Sequence, residues 1–298
     1  MRLPDFVSHP RGIQLGLFFS QRVPPGIAYR SARWLAGLMT RLGPELVRIL
    51  RANVGQVLGP DCGEDANRLV RQILTNFLRG YYDLFRAWNL PQEQMSDLIK
   101  VPPWLFEAMH AARSAGRGVV LVFPHVGNFD LASQAVAGYV PSVQVLTLPN
   151  PSPGFQRLNE MRGRGGAQIT PLSPAALRQA LRSLRQGGAV AFGGDRPVSE
   201  LDTPFSFFGR PARVPSASVR LALRTGAQVA VMAAAWDAEQ GTYCLDVEPF
   251  LEMERTGDED QDIALNMRRV LDALESVIRR WLDQWFMFVP VWPDLMED

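Results

Sequence analysis

The sequence predicts an α/β protein: a central, mostly parallel or mixed sheet flanked by helices, with a helical segment ahead of it. Three observations predict this. Residues 1–100 read as helices, whereas from about residue 117 short apolar runs of strand length alternate with amphipathic stretches. Such alternation implies a largely buried sheet with helices on both faces. Glycine and proline mark the joints, in RGRGG, QGG and the PNPSPG turn. The expected division is a helical segment over 1–100 and an α/β region over 101–298, forming one structural unit. A chain of 298 residues is long enough for that. A single domain of such size buries about 75% of the surface its unfolded chain exposes.

RLVRQILTNFLRGYYDLFRAW is the clearest helix. Val70, Ile73 or Leu74, Phe77, Tyr81, Leu84 or Phe85 and Trp88 recur at the helical period. Residues 61–65 precede it as a turn and cap, and two weaker helices lie near 26–40 and 44–57. Strand-length runs follow: GVVLVF, VQVLTL, AVAFGG and QVAVMAAA, with TYCLDVE as a further candidate. Helix-like stretches separate them: SQAVAGY, GFQRLNEMR, SPAALRQALRSLRQ and PSASVRLALRTG. Residues 258–285 read as a last, long amphipathic helix. There is no internal repeat.

Composition excludes several function classes. Thirty-one Lys and Arg against 30 Asp and Glu leave a net charge of +1, without the basic excess of a nucleic-acid binder. The basic residues are almost all arginine, with Lys100 the single lysine. Arginine makes a fixed two-pronged match to phosphate and carboxylate; a GC-rich genome produces the same bias. Cys62 and Cys244 are far apart, with neither a disulfide framework nor a metal-ligand cluster, so no metal is expected and a reducing compartment fits. No cleavable signal peptide and no run of 18 uncharged apolar residues is visible.

The chemistry concentrates in VVLVFPHVGNFDLAS, residues 119–133. A buried strand ends at Pro124, and His125, one of three histidines, follows it. In open α/β sheets, ligands bind in the crevice at the carboxyl ends of the strands. Gly127 permits a tight turn, and Asn128 suits a helix N-cap. Asp130 then falls in the first helical turn. On one continuous helix His125 and Asp130 would point about 140° apart. With His125 in the loop, the chain can fold back and bring the two together. An aspartate on one imidazole nitrogen fixes the tautomer, and the other nitrogen is then free to take a proton from a hydroxyl. The alternative is structural: the dipole favours Asp in a first turn, and a loop histidine bonds readily to the backbone.

FPHVGNFD resembles the H-x-x-x-x-D/E signature of glycerolipid acyltransferases. More narrowly, it resembles the HxGNW[DE] form of bacterial lipid A late acyltransferases and mycobacterial phosphatidylinositol mannoside acyltransferases. Other stretches agree in order: RANVGQVLG near residue 51, MRGRGGAQITPL, AFGGDRPVSELDTPFSFFGRPARVPSASVRLALRTGAQV, and DQWFMFVPVWPD. Asp283 stands where the terminal motif usually has proline or glutamate. The resemblance covers roughly residues 45–293.

It implies an O-acyltransferase that moves a fatty acyl group from acyl-CoA or acyl carrier protein to a hydroxyl of a membrane lipid or glycolipid. His125 would be the general base, Asp130 its orienting anion and Asp195 a second acidic catalytic residue. No cofactor and no nucleophilic Ser or Cys is required. Substrate contacts are expected from Asn128, from Arg162 or Arg164 on phosphate, and from Arg196, with a structural ion pair as the other reading of Asp195 and Arg196. Phe205, Phe207 and Phe208 in TPFSFFG alternate like a half-buried strand and belong to the core or line an acyl groove. Many lipid A acyltransferases begin with a transmembrane helix. Here residues 15–57 instead mix Phe18, Phe19, Trp34, Leu35 and Leu38 with Arg22, Arg30, Arg33 and Arg41, which suits a helix lying in a membrane interface or packing on the α/β region. A monomer, peripheral on the cytoplasmic face of the cell membrane, is expected. The competing readings are a lysophospholipid or glycerol-phosphate acyltransferase, a non-catalytic lipid binder, and a thioesterase. GGDRP in place of an E-G-T-R block weighs against the first of these.

Overall fold

The computed structural model describes residues 9–59, 62–88, 90, 94, 97–132, 143–163, 166–197 and 202–296. Its strands are β1 (Ile99–Lys100), β2 (Val119–Phe123), β3 (Val143–Thr147), β4 (Gln168–Pro171), β5 (Ala189–Gly193), β6 (Phe205–Phe207), β7 (Arg210–Ala212), β8 (Gln228–Asp237) and β9 (Thr242–Val247). Among the described residues, seven form one sheet in the order β1-β9-β8-β2-β5-β3-β4. β2 pairs in parallel with β5 and β8, β3 pairs in parallel with β5 and β4, and β8 and β9 run antiparallel. The sheet is therefore mixed, with β2 near its middle. Covered on both sides, VVLVF needs no polar face.

Successive strand residues point to opposite faces, and this splits the interior in two. Val120, Val122, Val190, Val229 and Val231 face α7 (Pro174–Arg185), α8 (Ala217–Thr225) and α9 (Glu259–Arg280). Val119, Leu121, Ala191, Met232 and Leu245 face the other way, towards α5 (Pro103–Ser114) and residues 131–132. Before the sheet come α1 (Pro10–Arg22), α2 (Pro25–Leu42), α3 (Pro44–Leu58) and α4 (Gly63–Ala87); α6 (Pro153–Gly163) follows β3. Prolines 10, 25 and 44 each open a helix, where the missing N–H removes no hydrogen bond.

α4 buries Val70, Ile73, Leu74, Phe77, Leu84 and Phe85, the stripe its periodicity predicts. Part of that stripe packs on α2 and α3 through Ala36, Leu50 and Val54. Asn53, from the RANVGQVLG segment, ties the helical segment to the C-terminal chain: its amide donates to the carbonyls of Met287 at 3.0 Å and Val289 at 2.8 Å, and its oxygen accepts the Val291 N–H at 3.0 Å.

Some elements differ from expectation. α1 is a helix of its own, and β4 is a strand that the sequence patterns did not reveal. α9 stops at Arg280 rather than 285, because the chain turns at Leu282–Gln284 and then pairs with the loop after β2. The helix expected over 133–139 lies outside the described residues.

Candidate active site

β2 and β5 lie side by side in register, Phe123 opposite Gly193. Each chain runs two residues further before its polar group, His125 after β2 and Asp195 after β5. Neighbouring strands are about 4.8 Å apart, so the register alone brings these side chains together. Asp195 Oδ1 lies 2.6 Å from His125 Nδ1. Its Oδ2 accepts the His125 main-chain N–H at 2.8 Å and the Trp285 indole N–H at 2.7 Å. The Asp195 carboxylate is fully buried, whereas the His125 side chain is 28% exposed. With its proton held on Nδ1 by the carboxylate, a neutral imidazole presents an unprotonated Nε2.

The loop is fixed on both sides. Gly127 has φ +64°, and a Cβ there would stand 1.9 Å from the Ala234 carbonyl oxygen. Only glycine fits that approach. Asn128 Oδ1 accepts the Leu131 N–H at 3.2 Å, capping the helix that starts at residue 129, while its amide donates to the Gly80 carbonyl at 2.9 Å. Opposite, the Phe286 N–H donates to the His125 carbonyl at 2.7 Å and the Gly127 N–H to the Gln284 carbonyl at 3.0 Å.

His125 lines a cavity of about 640 Å³. Between α4 and the Leu121 face of the sheet its walls are apolar: Phe77, Leu84, Leu121, Val145, Met232 and Leu245 are examples. Charged and polar side chains also border it, among them Arg162, Arg196, Asp202, Ser216 and Arg220. A mostly apolar concavity with a few convergent polar groups is the usual form of a small-molecule site.

The model of the family described as bacterial lipid A biosynthesis acyltransferase matches residues 12–293. The chain belongs to that family. It is similar to a phosphatidylinositol mannoside acyltransferase from Mycolicibacterium smegmatis (strain ATCC 700084 / mc(2)155), at 25% identity over 254 residues, 84% of this chain and 80% of the relative. A protein of the same description from Mycobacterium tuberculosis (strain CDC 1551 / Oshkosh) is 26% identical over 260 residues, 86% of this chain and 79% of the relative. The chain is thus an acyltransferase of the lipid A and phosphatidylinositol mannoside acyltransferase family, an enzyme that acylates a lipid.

In this acyltransferase the expected residues do not all stand where spacing placed them. The carboxylate on His125 Nδ1 is Asp195, not Asp130. Asp130 is ion-paired with Arg162, which also donates to Asn159 Oδ1 at 2.8 Å. Both Asp130 and Arg162 are buried, and the guanidinium lies near the rings of Phe129 and Phe155. Burial opposes the Arg162 charge, but Asp130 outweighs it and raises its pKa. Arg162 is therefore a bonded wall of the cavity rather than an open phosphate clamp. Arg164 lies outside the described residues. Arg196 borders the cavity half-buried; burial holds its pKa below the usual guanidinium range, partly offset by Asp195.

Phe205, Phe207 and Phe208 do not line the cavity of the acyltransferase. They pack in the core of the opposite face, because β6 and β7 form a hairpin seated on α9 and the C-terminal chain. Phe207 and Phe208 meet Trp292 at 5.9 and 6.2 Å between ring centroids. Sequence reasoning passed over Trp285 and Gly80, while Arg220 stood with Arg196, Arg210 and Arg213 as a second choice for phosphate after Arg162 and Arg164. Trp285 stood inside a quoted motif with no partner in view, and a lone glycine in a helical pattern carries no signal of facing a cavity.

Proposed function

We propose that this acyltransferase moves a fatty acyl chain from acyl-CoA or acyl carrier protein to a hydroxyl of a membrane glycolipid, with His125 as general base. The observation that carries this reading is the His125–Asp195 pair on the wall of an apolar cavity. The acceptor O–H gives its proton to His125 Nε2 while its oxygen attacks the thioester carbonyl. The O–C bond forms, the C–S bond breaks, and the leaving thiolate takes the proton back from His125. Asp195 holds the imidazole tautomer and stabilises the cation between the two transfers. The acyl chain occupies the cavity between α4 and the sheet. A glycolipid related to phosphatidylinositol mannoside is favoured by the mycobacterial relatives.

Donor and acceptor both carry phosphate. Arg196 and Arg220 are the arginines on the cavity wall best suited to hold one. Arg210 pairs with Asp294, Arg213 donates to the Asp202 carbonyl, and Arg162 is committed to Asp130. The enzyme works at the cytoplasmic face of the membrane, where both donors occur. It docks through the apolar, arginine-edged face of α1 and α2. Among the described residues no helix is long and apolar enough to cross a membrane.

The test is incubation with a radiolabelled acyl thioester, with and without a mannosylated phosphatidylinositol extract. Labelled lipid supports the reading, whereas labelled free acid alone makes the protein a thioesterase. His125→Ala should keep the fold and lower turnover by roughly 100- to 10,000-fold; near-normal transfer rejects the mechanism. With donor and acceptor varied separately, Arg196→Ala or Arg220→Ala should raise one Michaelis constant roughly 10- to 100-fold, the loss of a charge-assisted bond of about 1.5–3 kcal/mol. Unchanged constants in both variants remove the phosphate assignment.

A further inference from the structure

Asp195 is fully buried, and its carboxylate has two jobs. Oδ1 holds the imidazole; Oδ2 must satisfy its remaining acceptor capacity or the anion becomes costly in the interior. The donor that reaches Oδ2 from outside the loop is the Trp285 indole N–H at 2.7 Å, itself 1% exposed. Trp285 is not held by packing alone. It pairs across a β-bridge with Val126, flanked by the Phe286 N–H to the His125 carbonyl and the Gly127 N–H to the Gln284 carbonyl. Gln284 is locked in turn, accepting the Trp236 N–H at 2.7 Å and donating to the Trp236 carbonyl at 2.9 Å. On the far side the indole rests on Phe208, with ring centroids 6.2 Å apart. Phe208 has φ 49°, a left-handed backbone that a bulky residue seldom adopts. Its N–H is held by the buried Glu275 carboxylate at 2.7 Å. Residues 284–286 thus form a strap that grips the catalytic loop by its main chain and its carboxylate by one side chain.

We infer that Trp285 is a positioning residue of the acyl transfer, acting through Asp195. By donating to Oδ2 it fixes the carboxylate plane, so that Oδ1 stays on Nδ1 and Nε2 stays aimed into the cavity. Trp285 does not line the cavity and touches no substrate. The inference rests on the reading of His125 as general base. Phenylalanine at 285 keeps an aromatic ring and removes the donor.

Two comparisons test this with the full-length enzyme. Trp285→Phe should lower kcat about tenfold and leave both Michaelis constants within about twofold. In an Asp195→Asn background the same substitution should have almost no further effect on kcat, because the acceptor through which it acts has changed. A purely structural tryptophan would lower the rate by the same factor in both backgrounds, and that result overturns the inference. So does wild-type kcat in Trp285→Phe. If Trp285→Phe does not fold, benzothienylalanine at 285 keeps the bicyclic shape and lacks only the N–H. Full activity in that variant also overturns it. The indole N–H resonance of Trp285 should move in Asp195→Asn; a stationary resonance means the bond is absent in solution. If His125→Ala keeps activity, the general-base reading itself fails, a result separate from any of these.

Discussion

Gly80 sits inside α4, where alanine would be the better helix former by roughly 0.5–1 kcal/mol. Its φ needs no glycine, and a Cβ there meets nothing within 4 Å. The missing side chain opens onto the cavity, a few ångströms from the Asn128 amide that its carbonyl accepts. The residue therefore trades helix propensity for space. Gly80→Ala should raise stability by roughly 0.5–1 kcal/mol and leave transfer intact, read by urea denaturation and the labelled-lipid assay. Gly80→Phe should fill the acyl path. If it displaces about three methylenes at about 0.8 kcal/mol each, preference for a long over a medium-chain thioester falls roughly 50-fold. An unaltered chain-length preference in Gly80→Phe means that the acyl chain does not pass α4.

α4 also anchors the helical segment to the sheet. Asp83, one turn beyond Arg79, accepts the Tyr29 hydroxyl from α2 and the Tyr243 hydroxyl from β9, each at 2.7 Å. The Arg79 guanidinium lies over the rings of Trp236 at 3.4 Å and Tyr29 at 4.4 Å. Burial pushes the Asp83 pKa up, with the two tyrosines and Arg79 opposing. Tyr29 is pushed up to about 12, by burial first and by Asp83 second. A carboxyl raised in the folded state contributes stability that is full below its unfolded value, about 3.9, and is lost as pH rises through the folded one. Asparagine at 83 does not ionise. The stability of Asp83→Asn relative to wild type should therefore grow from about pH 4 upward, then level once Asp83 is charged. Denaturation midpoints at pH 4.5 and 7.5 measure the difference. A gap that stays constant between them would show that Asp83 ionises no less readily in the folded chain.

At the scale of the whole molecule, most of the large exposed apolar side chains among the described residues lie on the first two helices. Trp34 is 68% and Leu42 73% exposed, with Leu15, Phe18, Phe19, Ile27 and Leu38 also open to solvent. On α2, Ile27, Trp34, Leu38 and Leu42 share one stripe at helical spacing, with Arg30 and Arg41 along its edge; on α1, Arg11 and Arg22 lie beside Leu15, Phe18 and Phe19. An apolar stripe with cations at its rim suits the surface of an anionic bilayer, where each arginine contributes about 1 kcal/mol. The enzyme should sediment with vesicles containing phosphatidylglycerol, more weakly with phosphatidylcholine alone, and less in high salt. Trp34→Glu should reduce sedimentation while leaving transfer to detergent-dispersed lipid unchanged. Binding that responds neither to salt nor to Trp34→Glu would assign this face to something other than a membrane.

Much of the fold was legible because burial has a period. The stripe of α4 from Val70 to Phe85, the apolar run VVLVF and the Asn128 cap are local consequences of water excluding apolar side chains and of backbone groups needing partners. The position of His125 followed from the same reasoning, since a buried strand that stops at Pro124 must deliver the next polar residue to the sheet's carboxyl edge. Its partner was not legible. Asp130, five residues on, satisfied the spacing, yet Asp195, 70 residues away, holds the ring. Nothing local states that β5 lies beside β2 with Phe123 opposite Gly193. Strand order and register are set by which faces pack together across the whole chain. The same holds for Trp285, delivered by a strap at the far end of the sequence. It holds too for Phe207 and Phe208, whose alternation fitted a groove wall as well as a core until α9 closed over them. Sequence determined most of the helices and strands and which loop carries His125; tertiary packing decided which carboxylate holds its ring, because that choice depends on distances no local pattern encodes.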